Sequence, residues 1–305
     1  MSDQPSLASL AELPSQDPAF YAHAYNNRAR VPDNATHMAR WAADSALVRA
    51  AAASYLENLP YGDPASPHAD DERLDYFPAT GVPAGTRPPL LVFVHGGYFR
   101  ALDKRDHSFV AGVLPRRGVS VAIINYSLCP AVTVETIVRQ VVQSVAWLYR
   151  QGDALGHDRD RIFAAGHSVG GHLVAMLMTA LWPQVGVDLP VGLIRGGLSI
   201  SGLYDLEPLR RADFLQVDLR LTESDVVRLS PAFLPPATRA PLLTAVGEIE
   251  SSEYHRQNAL IRAAWPDNVR EDIPLPGRHH FNVMDDLARD GSPMLRALLA
   301  MIGGV

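Results

Sequence analysis

Gly166-His167-Ser168-Val169-Gly170 has the residue types and spacing of a serine nucleophile held in a sharp turn. The apolar run Ile162-Phe163-Ala164-Ala165 leads into it as a buried strand, and Leu173, Met176, Leu177, Ala180 and Leu181 follow at helical spacing. A tight strand-to-helix turn has no room for Cβ atoms two residues either side of the serine, where the glycines stand. It lifts the hydroxyl above the sheet and aims the helix N-terminus at whatever the serine attacks. The chemistry this suits is acyl transfer. The plainer reading is a glycine-rich βα turn, so the flanking strand and helix carry most of the motif's weight.

A second segment supplies what acyl transfer needs next. Pro89-Leu90-Leu91-Val92-Phe93-Val94 is a continuous apolar run, as a strand covered on both faces requires, and it opens onto His95-Gly96-Gly97-Tyr98. Glycines there let the backbone come close to a substrate and orient its amides. The expected oxyanion hole is the backbone N–H of Tyr98, with Gly97, together with that of Val169, the residue after the nucleophile. His95 is expected to prop this loop. His167 and His172 flank the serine without a required chemical role.

A serine hydroxyl attacks only when a base takes its proton, and the base needs an orienting carboxylate. The chain order for such a site is Ser, then Asp or Glu, then His. Arg278-His279-His280-Phe281 follows the last expected strand. His280 is favoured as the base, because a residue entering the final helix can swing back over the sheet; His279 stays open. For the acid, the turn after 241–247 offers Glu248 and Glu250, and Glu250 is preferred as the deeper of the two. A solvated loop carboxylate is the common fate of either. Asp205, ending the preceding strand, is the other candidate, while Asp285 and Asp286 are expected as exposed charges of the final helix.

These residues need strands and helices in alternation to bring them together. Leu74–Phe77 reads as an early strand, Val119–Tyr126 as another, and strands follow near 161–168, 192–201, 241–247 and 269–275. Val134, Ile137, Val138, Val141, Val142, Val145 and Leu148 mark one face of a helix between them. Helices are expected near 252–265 and at the end of the chain, from Val283 through Leu299. The alternation implies a mostly parallel sheet with helices on both faces and ligands at the strands' carboxyl ends. Each candidate residue falls just after a strand. Residues 1–60, polar and alanine-rich, read as a helical arm or partial cap, and 61–305 as the core. Within the core, about 205–237 breaks the rhythm as a small cap insertion.

Composition sets outer bounds. The 305 residues are 47% hydrophobic and 20% charged, which describes a globular chain, and the net charge of −6 offers no basic stripe for nucleic acid. One cysteine, Cys129, allows no intrachain disulfide and no cysteine metal cluster. The start, Met1-Ser2-Asp3-Gln4-Pro5, lacks the marks of a secretory signal, and no apolar stretch would span a bilayer. The expectation is a cytoplasmic enzyme acting on a small molecule. No nucleic-acid or membrane partner is expected, and a homodimer is left open.

The chain resembles the kynurenine formamidase (arylformamidase) branch of the α/β-hydrolases. The resemblance rests on Tyr25-Asn26-Asn27-Arg28, His95-Gly96-Gly97-Tyr98-Phe99-Arg100, the Ser168 segment through Leu173, and Ser201-Gly202-Leu203-Tyr204-Asp205-Leu206. Glu250 through Gln257 and His280-Phe281 complete it. It implies an α/β-hydrolase fold and a triad on Ser168, Glu250 and His280, matching the preferred residues. It also implies hydrolysis without metal or organic cofactor. The family pattern has Tyr-Trp after the H-G-G, where this chain has Tyr98-Phe99, and its animal members have Asp where Glu250 stands. Tyr98, Phe99, Tyr204 and Trp182 are candidates for an aromatic pocket lining, though each would serve equally in a core. Three functions follow: cleavage of an N-formyl aromatic amide, a short-chain carboxylesterase, or a non-catalytic binding module on the same fold.

Overall fold

Leu90–Val94 form a strand with every side chain buried, because helices cover it on both faces. It is the third of eight in a computed structural model that describes residues 6–304; the reading of Met1–Pro5 lies outside those residues. The strands are β1 (Leu56–Pro60), β2 (Arg73–Phe77), β3 (Leu90–Val94), β4 (Ser120–Ile124), β5 (Ile162–His167), β6 (Ile194–Ile200), β7 (Leu242–Gly247) and β8 (Val269–Leu275). They form one sheet in the order β1-β2-β4-β3-β5-β6-β7-β8, with β2 antiparallel to both neighbours and the rest parallel. This is the α/β-hydrolase fold, with β5 and its serine near the middle.

Alternation along the strands builds a core on each face. Leu90, Val92 and Val94 join one cluster with Ile137, Val141 and Leu173, while Leu91 and Phe93 join the other with Trp41, Leu295 and Leu298. The helix Val134–Arg150 starts where the Thr133 hydroxyl accepts from Thr136 N–H, and it buries Val134, Ile137, Val141, Val145 and Leu148 of the expected stripe, with Val138 and Val142 half-buried.

Two boundaries differ from the sequence reading. Residues 56–60 belong to the sheet as an edge strand and not to the arm, whose helices end at Ala51. The segment Leu-Glu-Asn-Leu-Pro hides because only one edge of it pairs, so it needs little hydrophobic alternation. The expected last helix is two, Asp285–Ala288 and Pro293–Gly303, since Gly291 at φ 74 breaks the run.

The arm lies against the core. Trp41, from the helix Asn34–Ala51, is buried beside Phe109 and Phe281. The helix Pro18–Tyr25 packs on Glu207–Arg211, the first of three short helices between β6 and β7, followed by Asp213–Leu219 and Glu223–Leu229. Arm and insertion together overhang the carboxyl ends of β3 and β5. Among the described residues no helix is long and apolar enough to cross a membrane.

Candidate active site

Ser168 sits between β5 and the helix Val169–Thr179 at φ 58, ψ −123, a conformation costly for any residue with a Cβ. The turn is as tight as the motif implies. A Cβ on Gly166 would stand 2.3 Å from the Gly170 carbonyl oxygen, and one on Gly170 would stand 2.1 Å from that of Val94. Both positions therefore exclude alanine, and the serine is presented where β3 and β5 end.

Glu250 and His280 come together beneath the same opening. His280 Nδ1 lies 2.6 Å from Glu250 Oε2, with both residues buried. The imidazole donates from Nδ1 to the carboxylate, which leaves Nε2 with its lone pair. The other carboxylate oxygen accepts from the Ser201 hydroxyl at 2.6 Å and from Gly247 N–H at 2.8 Å. These two donors fix the plane of the carboxylate. Ser201, just past β6 at φ 51, was not singled out from the sequence as the acid's partner.

The alternatives point elsewhere. His279 accepts through Nδ1 from Phe281 and Asn282 N–H, and its ring packs on His37. Glu248 accepts from Gly277 N–H at the surface. Asp205 caps Glu207 N–H and faces Arg256. Asp286, expected as an exposed charge, is buried and held by Arg278 Nε at 2.7 Å, because the short helix turns it inward.

The H-G-G loop runs through left-handed backbone at Gly97 (φ 106), Tyr98 (φ 52) and Phe99 (φ 58). The N–H groups of Gly97, Tyr98 and Val169 have no hydrogen-bond acceptor among the described residues. Ser168, His280, Gly97 and Tyr98 line one cavity of about 370 Å³, walled also by Trp41 and Phe214. Three expected pocket residues are absent from it. Phe99 is fully buried edge-on against His172, because its left-handed backbone turns the ring into the core. Tyr204 is fully buried with its hydroxyl donating to Ser199 Oγ at 2.6 Å. Trp182 is likewise core. Trp41 comes from the arm, and nothing in its sequence surroundings marks it as a pocket residue.

Four neutral histidines underlie the site. His95 Nδ1 donates to Gly96 C=O at 2.8 Å, and His167 Nε2 donates to the His280 carbonyl at 2.9 Å, tying the elbow to the base. Burial lowers the proton affinity of all four: His95 is below 6.5, His107 at about 3, His167 well below 6.5 and His172 at about 4. The folded state then binds fewer protons than the unfolded chain below pH 6.5. Their stabilisation is complete above that value and is lost as pH falls toward 4, at about 1.4 kcal/mol per pH unit for each histidine. Asp106 and Asp205, raised by burial, act in the opposite sense but are fewer. The urea midpoint should therefore drop steeply between pH 6.5 and 4.5; a flat profile there would contradict it.

Asp33, His37 and His279 bring three candidate metal ligands within 4.8 Å of one another. His279 uses Nδ1 as an acceptor, so its neutral ring carries its hydrogen on Nε2, which suits a donor and not a ligand.

Comparison with known proteins agrees with this geometry. Residues 91–272 match a family described by its alpha/beta hydrolase fold. The kynurenine formamidase of Salmo salar is 30% identical over 82% of this chain and 83% of its own length. That of Danio rerio is 29% identical over 81% and 82%. A solved Silicibacter sp. protein, provisionally named a thioesterase, is 31% identical, with a TM-score of 0.77 over 92% of this chain and 98% of that one. The chain is a hydrolase that belongs to the α/β-hydrolase family, in the branch that holds the kynurenine formamidases.

Proposed function

We propose that the chain hydrolyses a small N-formyl aromatic amide, with Ser168, Glu250 and His280 as its triad. The observation that carries this reading is the buried Glu250–His280 pair, 2.6 Å apart, on the cavity that Ser168 enters. His280 Nε2 takes the proton as Ser168 Oγ attacks the carbonyl. The developing oxyanion is met by the N–H groups of Tyr98, Gly97 and Val169. His280 then protonates the leaving nitrogen, and water activated by the same imidazole releases formate and frees the serine. The chain's own residues supply every group in this sequence.

Tyr98, Trp41 and Phe214 give the cavity aromatic walls, which favour a flat ring on the leaving group beside a small acyl group. The kynurenine formamidase relatives support the amide; the Silicibacter protein favours a thioester as the second reading. One small-molecule substrate is proposed, with no nucleic acid or membrane partner. The proposed setting is the cytoplasm, where the buried, unpaired Cys129 stays reduced.

The test compares kcat/KM on N-formylkynurenine, p-nitrophenyl acetate, p-nitrophenyl octanoate and an acetyl thioester. The formamide and the acetate should both exceed the octanoate. Octanoate cleaved faster than both would overturn the small-acyl reading. Good acetate turnover with no formamide turnover makes the chain a short-chain carboxylesterase, and a dominant thioester rate makes it a thioesterase.

A further inference from the structure

The Tyr98 phenol donates to the main-chain carbonyl of Tyr25 at 2.6 Å, which commits its one hydrogen. It also lies 2.7 Å from the Tyr254 phenol, so there it accepts and Tyr254 donates. Asn27 Nδ2 gives its two hydrogens to these same phenols, at 3.1 Å to Tyr98 and 2.8 Å to Tyr254. The hydrogens therefore run one way, from Tyr254 to Tyr98 to the Tyr25 carbonyl.

This chain touches two groups that acyl transfer needs. At one end is Tyr254, whose ring lies 4.7 Å from that of His280. Along the way is Tyr98, whose backbone N–H is an oxyanion donor and whose φ of 52 is strained for a tyrosine. The Tyr25 end is fixed in turn, since its own phenol donates to Glu253 at 3.0 Å and accepts from Gln257 at 3.1 Å. Burial raises the pKa of both Tyr98 and Tyr254 well above the usual phenol range, so neither ionises at working pH.

We infer that the Tyr98–Tyr254 phenol pair, locked by Asn27 and the Tyr25 carbonyl, positions the His280 imidazole and the oxyanion loop together. The N-terminal arm is thereby a working part of the active site. The four side chains are positioning groups; each acts through the His280 ring or the Tyr98 backbone. The inference rests on the serine-hydrolase reading above.

The test uses Asn27→Leu, Tyr98→Phe and Tyr254→Phe in the full chain, each with the branching of the original and without its polar hydrogens. For each, the rate of fluorophosphonate labelling, kcat and KM on p-nitrophenyl acetate, boronic-acid affinity and thermal midpoint are measured. A sub-ångström loosening should lower kcat and labelling roughly 10- to 100-fold, with KM changed less than about threefold. Boronate binding, which mimics the tetrahedral adduct, should weaken in proportion to kcat. Wild-type labelling and kcat in all three variants would overturn the inference. So would losses accounted for by a lowered thermal midpoint, with full activity in the folded fraction. A wild-type protein that does not react with the phosphonate defeats the serine-hydrolase reading instead, which separates the two failures.

Discussion

Ser168→Ala is expected to lower kcat by roughly four to six orders of magnitude on every substrate that the wild type cleaves. The nucleophile forms the covalent acyl-enzyme, and no neighbour can replace it. Burial keeps the Tyr254 phenol protonated, and His167 beneath the elbow is neutral. What remains should be the modest catalysis of an oxyanion hole and a binding cavity without a nucleophile. Fluorophosphonate labelling should vanish with the turnover. Folding should hardly change, because the hydroxyl is small and alanine inherits the same φ of 58. Ser168→Gly should be equally inactive yet more stable than Ser168→Ala, by on the order of 1 kcal/mol, since glycine accepts that backbone without strain. Retention of even a few per cent of activity in Ser168→Ala would refute the covalent mechanism. Complete loss with a collapsed thermal midpoint would make the effect structural.

The parts of the fold that were legible in the sequence are those where one physical demand acts alone. β3 and β5 are apolar throughout because both faces are covered, and the glycines beside Ser168 are there because carbonyl oxygens lie about 2 Å from any Cβ. The helix Val134–Arg150 shows its buried stripe for the same reason. Side-chain direction was less legible. Phe99 stands beside pocket residues in sequence and Tyr204 just after β6, yet both face the core, because a left-handed backbone and a hydroxyl bond to Ser199 turn them inward. Trp41 and Asn27 reach the cavity from the arm, over distances in sequence that no local pattern records. Edge strand β1 pairs on one side only and left no periodic signature. Tyr254 lies within a segment that carries the resemblance, but its place beside His280 depends on how the helix Ser252–Ala264 docks.

His280→Ala should be almost as damaging as Ser168→Ala, because a nucleophile without its base gains little from the rest of the site. His279→Ala should cost far less. Its ring caps two main-chain N–H groups and packs on His37, so its loss loosens a turn and leaves the base in place. Glu250→Gln is the sharper test of the pair. The carboxylate accepts from His280 Nδ1, which keeps the hydrogen there and the lone pair on Nε2. A glutamine can present its amide N–H to Nδ1 instead, which moves the imidazole hydrogen to Nε2, where it cannot take the serine proton. The expected loss in kcat is about 10⁴-fold with little change in KM, on the precedent of an acid-to-amide change in a serine protease. Asp205→Asn should leave kcat nearly intact and lower stability, since Asp205 faces Arg256 and the start of the Glu207 helix. Glu248→Gln should be close to neutral, because its carboxylate meets only Gly277 N–H at the surface. A larger loss at Asp205 than at Glu250, measured as kcat at saturating substrate on folded protein, would move the acid to the end of β6 and leave the Glu250–His280 contact without a catalytic role.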